Sequence, residues 1–219
     1  MIIPKNIKAI IFDYDGVLGD SDAFNNYACN EAAKKCGIDL SPEIYRKCVP
    51  GGATIKDIAT CIVTHYGMPE KVEEYIGYKR QYDEEYIKAV LVLPSVIETI
   101  KNLHNKYVLA VNTGTRHALV DGFLGKYDLT KYLKLVTASE DIMKGKPDPE
   151  SYLLSCNRLE VLPENCMVIE DGVSGVISAK AARCYVVGIT NNVSKEKLLE
   201  LGCDEVISDL SELMAPTSV

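Results

Sequence analysis

An apolar run from Ile7 to Phe12, broken only by Lys8, stops at Asp13-Tyr14-Asp15-Gly16. Its length and β-branched content are those of a strand covered on both faces, as strands of a parallel sheet are. Such a strand cannot stand alone: helices must pack on either side of it, and further strands must flank it. The turn of carboxylates and glycine lies at its carboxyl end, where open α/β sheets hold their ligands.

The following residues change period. From Asp22 to Lys35, Ala23, Phe24, Tyr27, Ala28, Ala32 and Ala33 recur at close to helical spacing, and Gly37 is a natural stop. Ser41-Pro42-Glu43 opens a second helix. Gly51-Gly52 breaks the chain, and Thr54-Ile-Lys-Asp57 predicts a capped helix to Tyr66. A further helix is predicted from Pro69 to about Ala89, with Tyr75, Tyr78, Tyr82 and Tyr86 on one packing stripe. From Leu91 strands and helices alternate again. Ser95 to Glu98 reads as a capping box for a helix ending near Asn105. Strands are predicted at 107–111, 133–137, 166–169, 185–189 and 205–207, and helices at 117–124, 150–159, 174–182 and 194–201. The pattern predicts an α/β fold, a doubly wound Rossmann-like parallel sheet formed by residues 1–19 and 89–219, with an all-helical cap inserted at 20–88.

Composition narrows the function. A net charge of -7 argues against binding nucleic acid or an anionic membrane, which favour basic surfaces. No apolar stretch nears the roughly 20 residues of a membrane helix, and the N-terminus lacks a secretory leader pattern. The eight cysteines include no Cys-x-x-Cys, so buried thiols in a reducing cytoplasm are expected rather than disulfides or zinc. His65, His104 and His117 lie at no ligand spacing.

Four groupings fall at predicted strand ends or in the loop between them: Asp13 with Asp15, Thr113, Lys146, and Glu170 with Asp171. Carboxylates converging on one crevice repel by about 4 kcal/mol per pair at 4 Å and an effective dielectric of 20. A hard divalent cation removes that penalty, and Mg²⁺ suits a few carboxylates plus a phosphate. Lys146 would add a second positive charge. With both in place, a carboxylate can approach a phosphate dianion.

These groupings, Asp13-Tyr-Asp-Gly-Val, Asn112-Thr113-Gly114, Lys146-Pro147 and Glu170-Asp171-Gly172-x-x-Gly175, resemble the four motifs of the haloacid dehalogenase superfamily, in order along the whole chain. The helical insertion resembles the cap of its β-phosphoglucomutase and phosphoglycolate-phosphatase-like branch. The resemblance implies Asp13 as nucleophile, forming an aspartyl-phosphate, and Asp15 as general acid and then base. It implies Thr113 and Lys146 as holders of the phosphoryl group, with Gly114 beside them. Mg²⁺ would be held by Asp13, Asp171 and the Asp15 main-chain carbonyl, with Glu170 a ligand or its outer partner. In the cap, Gly52, Thr54 and Lys56 are expected to contact substrate. The mutase branch's cap arginine would fall near Ile55 and its hinge histidine near Asn25. The expected activity is therefore a Mg²⁺-dependent phosphatase for a small phosphate ester, such as a sugar phosphate or a phosphoglycolate-like acid, with a sugar phosphomutase as the alternative. A cytoplasmic monomer or weak homodimer is expected.

Overall fold

The computed structural model describes residues 1–49 and 52–214. Strand β1 (Ala9–Phe12) lies at the centre of a six-stranded sheet, with every pairing in the sheet parallel. Strand β2 (Gly19–Asp20) follows, and then the helices α1 (Asp22–Lys35), α2 (Pro42–Cys48), α3 (Ile55–His65), α4 (Val72–Arg80) and α5 (Asp83–Ala89). Strand β3 (Leu91–Val92) returns antiparallel to β2. The remaining chain alternates through α6 (Val96–Leu103), β4 (Val108–Asn112), α7 (His117–Lys126), β5 (Leu135–Thr137), α8 (Glu150–Leu159), β6 (Cys166–Glu170), α9 (Val173–Ala181), β7 (Tyr185–Ile189), α10 (Lys195–Glu200) and β8 (Glu205–Ile207).

The sheet order is β5-β4-β1-β6-β7-β8. The chain thus builds outward from β1 on one side and then crosses to build outward on the other, which opens a crevice at the carboxyl ends beside β1. Side chains alternate across the sheet. Ile10, Phe12, Leu109 and Val111 pack with α6 and α7, whereas Ala9, Ile11, Ala110 and Val168 pack with α8, α9 and α10. A third apolar cluster is built wholly from residues between Cys29 and Ile76, so the helical insertion carries its own core above the sheet. Among the described residues, no helix is long and apolar enough to cross a membrane.

Local chemistry sets several boundaries. The Ser41 hydroxyl accepts from the Ile44 N–H. Thr54 and Asp57 form the reciprocal box at the start of α3. Asp148 caps α8 by accepting from the Glu150 N–H.

Four expectations are corrected. Ser95 makes no capping box; it sits at φ +62° with no side-chain bond to the helix it precedes. The helix predicted over 69–89 divides into a 3₁₀ turn at Pro69–Lys71, then α4 and α5. The second start is marked by Asp83, Glu84 and Glu85, acids that favour a helix N-terminus. The region expected to hold no strand contributes Asp20 to a two-stranded ribbon. Finally, Cys48 and Cys61 form a disulfide, because the packing of α2 on α3 brings their Cα atoms to 5.5 Å. The other six cysteines are unbridged and buried, Cys166 and Cys184 among them. Gly51, half of the expected Gly51-Gly52 break, lies outside the described residues.

Candidate active site

Strand β1 delivers Asp13 to the crevice floor, where its side chain is buried and its backbone N–H is held by the Ile169 carbonyl at 2.9 Å. The loop before α8 brings in Lys146, also buried. Its Nζ donates to Asp13 Oδ1 at 2.6 Å and to Glu170 Oε1 at 2.7 Å, and lies 4.8 Å from the centre of the Tyr152 ring. Burial opposes the ammonium's charge, but Asp13 and Glu170 outweigh it and hold the lysine protonated, above its ordinary value.

Glu170, at the end of β6, has both oxygens engaged. Oε1 accepts from Lys146 and from the Tyr152 hydroxyl at 2.7 Å; Oε2 accepts from the Asp171 and Gly172 N–H groups at 3.1 and 3.2 Å. Gly175 makes room for this carboxylate, since a Cβ there would lie 1.8 Å from Oε1.

Asp171 follows, buried, with Oδ2 accepting from Asn192 Nδ2 at 2.6 Å. Burial, then Glu170, Asp13 and Asp22, push its carboxyl up to about 9. Asp13 is likewise raised, chiefly by burial, with Lys146 opposing and Glu170 and Asp15 adding to the rise. Gly16 must be glycine on two counts. Its φ is +77°, and a Cβ would lie 1.9 Å from Asp171 Oδ2.

Asp13, Glu170 and Asp171 each offer an oxygen, and the three lie within 4.8 Å of one another. This all-oxygen set fits a hard divalent cation. Burial first, and then mutual repulsion that Lys146 alone does not offset, drive Asp13 and Asp171 toward their protonated forms. The saturation of Glu170 by four donors favours Asp13 and Asp171 as the direct ligands and Glu170 as the group that fixes Lys146. The Asp15 carboxylate stands apart from this cluster.

The Asp15 side chain is held by five donors. Oδ1 accepts from the Ser21 hydroxyl, from Tyr86 at 3.3 Å and from Asn25 Nδ2 at 3.4 Å; Oδ2 accepts from Thr115 at 2.7 Å and Thr113 at 3.3 Å. Thr113 also accepts from the Thr115 N–H at 2.9 Å. Two of the five donors, Thr113 and Thr115, come from the loop after β4; the other three, Ser21, Asn25 and Tyr86, come from the helical insertion.

Above these groups lies a cavity of about 820 Å³, lined by Asp15, Asp171, Gly114 and Thr115 below and by residues of α1, α2, α4 and α5 above. Gly52 (φ +83°) lies directly on Lys146, where a Cβ would meet Lys146 Cδ at 2.5 Å, and its carbonyl would be 2.4 Å from a Cβ on Gly114. The insertion therefore rests on the catalytic floor. Thr54 spends its hydroxyl on Asp57 and packs its methyl toward Gly145. Lys56 is exposed and does not line the cavity; the cations that do so from the insertion are Arg46 and Lys79. Sequence reasoning missed these two, as it missed Tyr86, Asn192, Tyr152 and Thr115. Only Thr115, inside Asn112-Thr-Gly-Thr, carried a local signal.

Fold and site together are those of an α/β protein in which a helical cap covers a carboxylate–lysine centre. The haloacid dehalogenase-like hydrolase family model matches residues 10–189, and the chain belongs to that family. It is 30% identical to the phosphorylated carbohydrates phosphatase of Thermotoga maritima, over 95% of this chain and 100% of that one. It is 27% identical to the fructose-1-phosphate phosphatase YqaB of Escherichia coli, over 81% of this chain and 94% of that one. The crystal structure of a β-phosphoglucomutase from Clostridium difficile shares the fold, with a TM-score of 0.82 at 22% identity, covering 94% of this chain and 93% of that one.

Proposed function

We propose that the protein is a Mg²⁺-dependent phosphatase that hydrolyses a small phosphorylated metabolite of sugar-phosphate size through an aspartyl-phosphate on Asp13. The observation that carries this reading is the 2.6 Å contact between the Lys146 ammonium and Asp13, beside an acidic cluster that calls for a second cation. The names of the relatives support the substrate class: one acts on phosphorylated carbohydrates, another on fructose 1-phosphate.

In this reading Asp13 Oδ attacks phosphorus while Lys146, the Thr113 hydroxyl and the Gly114 N–H hold the phosphoryl oxygens. Asp15 gives a proton to the departing alkoxide. It then takes one from the water that cleaves the acyl-phosphate, which returns Asp13 to its starting state. The first transfer requires Asp15 to enter protonated, with one hydroxyl that donates to it here, such as that of Thr115, turned to accept from it; the second transfer restores that proton. Mg²⁺, held by Asp13, Asp171 and the Asp15 carbonyl, would neutralise charge on the transferring group. Residues 20–88 would act as a cap, moving relative to 1–19 and 89–219 to admit substrate and then exclude bulk water. Hydrolysis is preferred to phosphomutase chemistry because Ile55 and Asn25 stand where the mutase branch would carry an arginine and a histidine. Six buried, unbridged thiols suit a cytoplasmic setting, whereas the Cys48–Cys61 bridge is of the kind a reducing cytoplasm opens. Replacing Asp13 by Asn should abolish phosphate release from a panel of phosphate monoesters while the circular dichroism spectrum stays unchanged. Release at the parent rate would refute the nucleophile.

A further inference from the structure

We propose that Tyr86, which the insertion carries in, is a positioning residue for proton transfer at Asp15. Its hydroxyl, backed by that of Tyr14, keeps Oδ1 of Asp15 as the accepting oxygen and leaves the acid's proton to Oδ2, on the side of Thr113. This rests on the phosphatase reading and adds to it a residue that acts through Asp15.

The helix that carries Tyr86 is tied to α7 and to the loop before it. At the first turn of α5, Asp83 pairs with Arg116, the residue after Thr115. At its last turn the Lys126 ammonium, on α7, donates to the Ile87, Lys88 and Val90 carbonyls at 3.1, 2.8 and 2.9 Å, groups that a helix end leaves open. Between these ends Ile87 packs on Gly122, where a Cβ would lie 2.6 Å from Ile87 Cδ1. Tyr86 and Val90 belong to the apolar cluster that holds Ile10, Phe12, Leu109 and Val111, not to that of the insertion. These contacts fix where the Tyr86 hydroxyl falls.

The Tyr86 side chain is buried, its ring edge-on to Phe24 at 5.7 Å. Its hydroxyl lies 3.3 Å from Asp15 Oδ1 and 3.3 Å from the Tyr14 hydroxyl. A phenol keeps its one proton across the neutral range and can accept another hydrogen bond. All three groups are satisfied when Tyr14 donates to Tyr86 and Tyr86 donates to Asp15. Oδ1 also accepts from Ser21 and from the Asn25 amide, which Lys79 orients by donating to Asn25 Oδ1 at 3.4 Å. That amide nitrogen can only donate, so Oδ1 is built to accept. Oδ2 meets two hydroxyls, of Thr113 and Thr115, and either can turn to accept a proton from it. The acid's proton therefore rides on Oδ2, beside the threonine that faces the phosphoryl group. Without the Tyr86 hydroxyl, Oδ1 competes for that proton, and only reactions whose leaving group needs one are slowed.

The test uses the full-length, Mg²⁺-loaded enzyme and two kinds of leaving group. p-Nitrophenolate departs without a proton, whereas the alkoxide of a sugar phosphate needs one, so the ratio of kcat/KM for the two isolates the acid step. Tyr86→Phe keeps the ring against Phe24 and removes only the hydroxyl. Its kcat/KM should fall about tenfold or more for the fastest of glucose 6-phosphate, glucose 1-phosphate and fructose 1-phosphate, and less than about threefold for p-nitrophenyl phosphate. Tyr14→Phe, which removes the backing hydroxyl, should move the ratio in the same direction by about threefold, and it carries the test alone if Tyr86→Phe lacks a cooperative melt. Tyr78→Phe, which loses a hydroxyl bonded to Glu74 outside the cavity, should leave the ratio unchanged. Equal losses on both kinds of substrate, or an unchanged ratio, in the folded variant would overturn the proposal. A parent enzyme that hydrolyses no sugar phosphate would instead refute the phosphatase reading, and the proposal falls with it.

Discussion

Asp171 concentrates the physics of this site in one side chain. Burial and three neighbouring carboxylates push it up to about 9, so the folded protein without a divalent cation keeps a proton there that the unfolded chain gives up near 3.8. The folded state then binds more protons than the unfolded state between those two values, and stability falls as pH rises through that window. Melting temperature in chelator should therefore fall from pH 5 to pH 9, and Mg²⁺ should raise it most at the alkaline end, where ligation displaces the least bound proton. Equal Mg²⁺ shifts at both pH values would show that Asp171 is not a ligand. The same residue bears on its glycine: Gly16 is required both by its positive φ and by the carboxylate it faces across the crevice.

At the scale of elements, the cap loop between α2 and α3 is the critical piece. Gly52 seats it on Lys146 and Gly114, the Thr54–Asp57 box anchors its far end, and the Cys48–Cys61 bridge ties the two helices that carry it. Closing a ring over a sequence separation of 13 should stabilise the chain by about 3 kcal/mol through the unfolded state. The double variant Cys48→Ser, Cys61→Ser should lose that amount in chemical denaturation, and the parent protein in excess dithiol should lose the same. A denaturation midpoint indifferent to both would mean that the bridge contributes nothing. This bridge was not legible in the sequence, because nothing in the spacing of Cys48 and Cys61 announces a pair; only the packing of two helices does. The caps at Ser41 and Thr54 were legible because their partners lie three residues away. Ser95 failed by the same logic, as it had the right neighbours but a left-handed backbone imposed by the turn from β3.

Over the whole molecule, the order of strands around β1 does most of the positioning. Asp13, Thr113 and Glu170 were readable because each ends or directly follows a strand, and strand ends in this topology converge on one crevice. Arg46, Lys79, Tyr86 and Asn192 arrive from the insertion and from the loop after β7, where no spacing rule links them to the floor. The sheet could be inferred from periodicity; the closure of the cap, and what it brings to Asp15, required the fold. In the proposed mechanism Asp13 itself receives the phosphoryl group. Rapid acid quench during turnover, followed by mass analysis of the peptide containing Asp13, tests it most directly. A transient phosphoryl adduct should form on Asp13, disappear as substrate is exhausted and never form in Asp13→Asn. Undiminished turnover with no adduct, or an adduct on another residue, would contradict it.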